Sequence, residues 1–167
     1  MSAKEDEREL ARLATRVGLH MVATKRWAST AESCTGGWIA KAFTDVAGSS
    51  QWFTEGFVTY SNEAKVRRLG VTHSLLRSEG AVSEAVARAM AKGALASSGA
   101  QVAVAVTGIA GPGGAVPGKP VGTVWLAWAV SHGSKINLSA ELRHFRGDRA
   151  SVRWKTVRAA LKGLLIR

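Results

Sequence analysis

The chain has 167 residues, 46% of them hydrophobic, with a mean hydropathy of +0.02 and a net charge of +11. That length supports one core rather than two, and that composition excludes a disordered chain. No apolar run reaches the roughly 18 residues of a membrane span, which excludes a transmembrane helix.

The elements follow in chain order. Residues 4–24 carry Leu10, Leu13, Ala14, Val17 and Met21 on one helical face, with acidic residues crowding the first turns. Residues 27–32 read as a short strand. "SCTGGWIAKAFTDVAG" reads as a helix capped at Ser33 or Thr35 and stopped by Gly48. "WFTEGFVTYS" is a strand ending at Tyr60 or Ser61, and "NEAKVRRLG" a short helix with Asn62 as its cap and Gly70 beyond its end. Residues 83–98 form the clearest internal helix, and "QVAVAVTG" a continuous apolar strand of the buried kind. The glycine-proline loop "GIAGPGGAVPGKPVG" separates it from the strand "TVWLAWAVS". The turn "HGSK" then joins that strand to "INLSAELRHF" as an antiparallel hairpin. The last helix, 148–166, is expected to bury Val157, Leu161, Leu164 and Leu165 and to turn Lys155, Arg158 and Lys162 outward. Strands alternate with helices early and a hairpin comes late. The expected fold is a single-domain α/β sandwich over residues 1–167, with a mixed sheet and helices on both faces.

The sole cysteine, Cys34, excludes an internal disulfide and a cysteine-based zinc site, and it reads as a buried small hydrophobe. The four histidines show no metal-ligand spacing, so neither metal nor cofactor is expected. The charged N-terminal stretch is unlike a signal peptide, which makes the cytoplasm the expected location. The basic surplus favours anionic partners: nucleic acid, phosphorylated metabolites or a neighbouring subunit. The tryptophans read as core and interface residues, and a homodimer is expected.

Two motifs mislead. "GGAVPGKP" matches a phosphate loop up to Lys119, but Pro120 stands where a hydroxyl residue should begin a helix, and Lys119 is left as a possible loop contact. Tyr60 and Lys65 resemble the dehydrogenase Tyr/Lys pair, yet their spacing is five rather than four and no dinucleotide-binding glycine loop is present.

"AESCTGG" (31–37) holds more chemistry. A serine at a strand-to-helix junction sits where backbone N–H groups and the helix dipole favour negative charge. Gly36 and Gly37 admit a close approach to the backbone, and their amides are candidate oxyanion donors. Lys65 is a candidate base if burial or nearby cations depress its pKa, and Tyr60 a group that orients the serine or relays a proton. The same residues also read as a capping serine, a packed tyrosine and a surface lysine. From the residues alone both readings stand.

"AESCTGG", "TYSNEAK" (59–65), "AVTGIAGPGG" (105–114), "KPVGTVW" (119–125) and "HFRGDR" (144–149) occur in one order. In that order they resemble the CinA C-terminal family, the nicotinamide-nucleotide amidohydrolases of the competence/damage-inducible protein A group. The resemblance implies deamidation of nicotinamide mononucleotide to nicotinate mononucleotide and ammonia, a step in pyridine-nucleotide recycling. It implies a stand-alone form, without the pyrophosphatase domain of the larger members. It also implies a metal-free serine mechanism, with Ser33 as nucleophile and Lys65 and Tyr60 as partners. The amides of the 34–37 turn (Thr35, Gly36, Gly37) are then expected to hold the oxyanion. The substrate phosphate is expected to meet Thr107, Gly108 and the amides after them, with Arg149 favoured over Arg146. Asn62 is left either to bond the carboxamide or to cap its helix. The alternatives are a basic nucleic-acid-binding module, on the charge of the last helix, or an inactive assembly protein.

Overall fold

The computed structural model describes residues 3–167, so the first two positions of the expected 1–167 unit lie outside the described residues. The helices are α1 (Ala3–Ala23), α2 (Trp38–Thr44), α3 (Asn62–Leu69), α4 (His73–Glu79), α5 (Glu84–Ser98) and α6 (Arg149–Leu164). The strands are β1 (Ala28–Glu32), β2 (Phe53–Val58), β3 (Val102–Gly108), β4 (Thr123–His132) and β5 (Lys135–His144). The strands form one mixed sheet in the order β2-β1-β3-β4-β5. β1 runs parallel to both β2 and β3, while β4 is antiparallel to β3 and to β5. This is the expected α/β sandwich, with helices on both faces.

Side-chain size sorts the two faces. In β3 and β4, Val102, Val104, Val106, Leu126 and Trp128 face α1, α2 and α6, while Ala103, Ala105, Ala127 and Ala129 face α5. α5 answers with its own small residues, Ala87, Ala91 and Ala94, so it can lie close to the sheet. The larger residues opposite fill the wider gap under α6. There Gly163 lies against Trp128: a Cβ at Gly163 would sit 2.2 Å from the indole ring. The indole Nε1 donates to Ala160 O at 3.2 Å, which fixes α6 on β4.

Three elements depart from the sequence expectation. The helix after β1 starts at Trp38, not at Ser33 or Thr35; residues 33–37 form a turn, and the helix has stopped by Thr44, short of Gly48. α3 is capped by Ser61, whose hydroxyl accepts from Ala64 N, so Asn62 is its first residue and not its cap. Residues 73–79, for which the pattern gives no element, form α4, capped by Thr72 and burying only Leu76. The hairpin and the final helix follow the expectation, except that Leu165 ends α6 half-buried.

β1 is the point where the chain reverses its direction across the sheet. α2 leaves β1 on one face and leads to β2; the chain then crosses by way of α3, α4 and α5 on the other face to reach β3. The carboxyl ends of β1, β2 and β3 therefore open together, at the place where α/β sheets bind ligands.

Candidate active site

The turn after β1 is shaped from beneath by a carboxylate. Glu32 is fully buried (0% exposed). It accepts from Gly37 N (3.1 Å), Ile39 N (3.0 Å) and Ala40 N (2.8 Å), the donors at the start of α2. The hydroxyl of Thr35 donates to it at 2.6 Å and that of Thr30 at 3.3 Å. A buried carboxylate here meets free N–H groups and the positive end of the helix, so it replaces an ordinary side-chain cap. Gly36 and Gly37 have φ of +64° and +93°, in the left-handed region that favours glycine, and so let the chain fold back over Glu32.

Of the amides expected to hold an oxyanion, two already have protein acceptors. Thr35 is fully buried with its hydroxyl donated to Glu32, and it does not line the cavity described below. The amides of Gly36 and Gly37 are occupied too, donating to Ser33 O (3.1 Å) and to Glu32. The amides of Cys34 and Thr35 meet no acceptor among the described residues; Cys34 lines that cavity, whereas Thr35 is fully buried. One residue that matters was missed. Glu32 stands inside the quoted motif, but an acidic residue at the end of a strand carries no sign of three amides waiting for it.

Lys65 joins Ser33 from across the sheet. It sits in the first turns of α3, is 1% exposed, and its Nζ donates to Ser33 Oγ at 3.1 Å, to Thr59 O at 2.8 Å and to Tyr60 O at 3.3 Å. β1 and β2 are hydrogen-bonded neighbours, which is what brings the two residues together. Burial pushes the Lys65 ammonium down to about 8, because an enclosed site penalises the charged form. Burial also pushes the Cys34 thiol up to about 12, so Cys34 is an inert buried side chain, as expected.

Tyr60 meets Lys65 through its backbone carbonyl and not through its phenol. The phenol is 60% exposed and accepts from Arg149 Nη2 at 3.0 Å, while Arg149 Nη1 donates to Gly111 O at 2.8 Å. Thr107 is buried with its hydroxyl donated to Ala81 O at 2.8 Å, and Asn62 is exposed at the start of α3. Ser33, Tyr60, Asn62, Lys65, Thr107, Gly108 and Arg149 all line one cavity of about 200 Å³, with Cys34, Ala81, Val82 and Ala110. Arg146 is not part of its wall. Lys119 is a loop contact, its Nζ donating to Glu79 O at 3.2 Å.

The cavity thus joins a half-buried hydroxyl, a buried amine of lowered basicity and a guanidinium at the mouth. That set can acylate a serine and hold an anion.

A model of the CinA C-terminal domain matches residues 10–167. The chain is 57% identical over 153 residues to the nicotinamide-nucleotide amidohydrolase PncC of Pseudomonas putida, covering 92% of this chain and 93% of that protein. It is 50% identical over 156 residues to the enzyme of the same name from Escherichia coli K12, covering 93% of each. The crystal structure of the competence/damage inducible protein CihA from Agrobacterium tumefaciens superimposes with a TM-score of 0.90 at 46% identity, over 95% of this chain and 94% of that one. Five ordered motifs, the sheet order and a match over nearly the whole length agree: the chain belongs to the CinA C-terminal domain family.

Proposed function

We propose that the chain is a nicotinamide-nucleotide amidohydrolase that converts nicotinamide mononucleotide and water to nicotinate mononucleotide and ammonia, with Ser33 as nucleophile. Relatives named for that activity at 50% and 57% identity support the reaction. The contact between Lys65 Nζ and Ser33 Oγ at 3.1 Å supports the mechanism.

The two carbonyls around Lys65 matter to the chemistry. A neutral amine keeps two N–H donors and one lone pair. Thr59 O and Tyr60 O take the donors, which leaves the lone pair for the Ser33 hydroxyl. Ser33 Oγ attacks the carboxamide carbon as its proton passes to Lys65. The tetrahedral oxyanion is held by the Cys34 amide, which follows the nucleophile, belongs to a residue lining the cavity and meets no hydrogen-bond acceptor among the described residues. Lys65 then gives the proton to the departing nitrogen, the C–N bond breaks, and ammonia leaves a seryl ester. Water attacks the ester with its proton accepted by Lys65, and collapse returns that proton to Ser33 Oγ.

Binding uses the mouth of the cavity. The pyridine carboxamide enters between Ser33 and Thr107, and the ribose phosphate stays outside near Tyr60 and Arg149. Arg149 already spans Gly111 O and the Tyr60 phenol, so its guanidinium is oriented before a phosphate arrives. Gly108 and Asn62 complete the wall.

The test is ammonia release from nicotinamide mononucleotide in the presence of EDTA. The wild-type chain is expected to turn over and Ser33→Ala to lose about 10³-fold or more in kcat, because serine and base act as one unit. Full turnover by Ser33→Ala would overturn the mechanism. Absence of ammonia with the wild type would overturn the substrate.

A further inference from the structure

The wall of the Ser33 cavity is graded by depth. Lys65, Cys34, Thr107 and Ala110 are buried and Ser33 is half-buried, while Tyr60, Asn62 and Arg149 are its exposed lining residues. Those three form the rim. Two of them are engaged: Arg149 Nη2 donates to the Tyr60 phenol at 3.0 Å and its Nη1 to Gly111 O at 2.8 Å. The third is free. Ser61 does the capping of α3, its hydroxyl accepting from Ala64 N at 3.1 Å, so the Asn62 side chain meets no partner among the described residues.

The helix sets where that side chain lies. Asn62 precedes Lys65 by three positions, and residues so spaced share one face of a helix, one above the other. On that face Lys65 Nζ donates to Ser33 Oγ at 3.1 Å. Asn62 stands about 4.5 Å further along α3, three residues at 1.5 Å each, on the side of the mouth.

A nicotinamide nucleotide has its own order of depth. With the carboxamide carbon at Ser33 Oγ, the pyridine ring fills the floor, the ribose lies one ring-width outward, and the phosphate lies beyond it at Arg149. The ribose offers a vicinal pair of hydroxyls, each able to donate and to accept. An asparagine amide presents an acceptor oxygen and an NH₂ donor side by side in one plane, which matches such a pair. Among the described residues no carboxylate lines the cavity. An acid at the rim would also bind the hydroxyls, but would repel the phosphate that Arg149 attracts.

We propose that Asn62 is a specificity residue that binds the ribose hydroxyls, and so separates a nicotinamide nucleotide from amides that lack the sugar. The inference rests on the amidohydrolase reading for the seat of the carboxamide. It gives Asn62 the sugar and neither the carboxamide nor the helix cap.

The experiment crosses a change in the enzyme with a change in the substrate. Wild type and Asn62→Ala are compared on nicotinamide mononucleotide and on its 2′,3′-dideoxy analogue, with kcat and KM read from ammonia release. Affinity for both compounds is measured by calorimetry on Ser33→Ala and on Ser33→Ala combined with Asn62→Ala. Thermal midpoints are recorded alongside. On the ribonucleotide, Asn62→Ala is expected to raise KM roughly 10-fold with kcat within about twofold, because a neutral hydrogen bond at a wet rim adds modest, uniform binding. Removing the hydroxyls should weaken wild type by a similar factor and Asn62→Ala by little more, so the two changes together fall well short of their product.

An unaltered KM for the ribonucleotide in Asn62→Ala would overturn the proposal, as would equal losses on both substrates, since a structural or carboxamide-binding role does not depend on the sugar. A fall in kcat with KM preserved would overturn it too. With wild-type turnover present, each of these leaves the amidohydrolase reading standing. If wild type releases no ammonia while Ser33→Ala binds the nucleotide, the reaction is wrong, and the calorimetric comparison alone decides for or against Asn62. If there is neither turnover nor binding, the substrate is wrong and the proposal falls with it.

Discussion

At the scale of the residue, Lys65 sets the pH behaviour. Its folded pKa of about 8 lies below its ordinary 10.5, because burial penalises the ammonium. A base must be neutral, so kcat/KM is expected to rise with pH and level off above about 8, measured as ammonia release between pH 6 and 9.5. A flat profile over that range would remove Lys65 as the base. The same shift has a consequence for stability. Between about 8 and 10.5 the unfolded chain holds a proton on Lys65 that the folded chain has lost, so folding gains as pH rises. Below 8 the cost of burying the ammonium is present in full. Lys65→Met has no such term. Relative to that variant, wild type should therefore gain stability from pH 8 to 10, read from the difference of the two denaturation midpoints. A constant difference would contradict the sign.

At the scale of the element, α2 depends on Glu32 and not on its own sequence. It spans only Trp38–Thr44, and its N-cap, Gly37, offers no side-chain bond. Seven residues make a weak helix in isolation, since nucleation costs more than so few bonds return. Glu32 supplies acceptors for three amides at its start and for two threonine hydroxyls. Glu32→Gln keeps the size but turns an amino group toward donors. It is expected to lose about 3 kcal/mol by urea denaturation and to lower activity with it, because the Ser33 turn rests on the same carboxylate. A loss below about 1 kcal/mol would show that α2 is held by packing of Ile39 and Phe43 instead. α4 is the opposite case. It has a conventional cap at Thr72, yet presents one buried leucine and so too little periodicity to be read as a helix from sequence.

At the scale of the whole molecule, the two faces of the sheet divide the work. The alanine face draws α5 close, and the larger face seats α6, whose arginines reach both loops of the site. The seat is the contact of Gly163 with Trp128. Gly163→Ala would force the indole or the helix aside, and is expected to cost about 1–3 kcal/mol in chemical denaturation. No measurable loss would mean that α6 can slide without penalty. The basic surplus is in part tied internally: Arg158 pairs with Glu9 at 2.6 Å, and Lys155 Nζ donates to Arg146 O at 2.6 Å. Of the six tryptophans, Trp52 and Trp128 are buried, Trp38, Trp125 and Trp154 half-buried and Trp27 exposed, so they serve both core and surface. Among the described residues no helix is long and apolar enough to cross a membrane.

The order of the elements was legible in the sequence because period and punctuation are local. The continuous apolar runs of β3 and β4, the five residues of α1's apolar face and the glycines that end α3 and α5 all act within a few positions. Ser33 and Lys65 were legible as candidates, since a serine before two glycines and a lysine after the next strand are local features as well. Their meeting at 3.1 Å was not, because it depends on β1 and β2 lying side by side with α3 leaning over them. Nor was the use of the turn's own donors. The same short motif supplied Glu32 as an acceptor and Gly37 as its donor, so the amides that looked free were already taken. Arg153, 119 positions from Cys34 in the chain, reaches that turn only because α6 packs across the face of the sheet. Local chemistry sets which elements form. Which donors, acceptors and charges remain free for a substrate is decided by what tertiary packing has already paired.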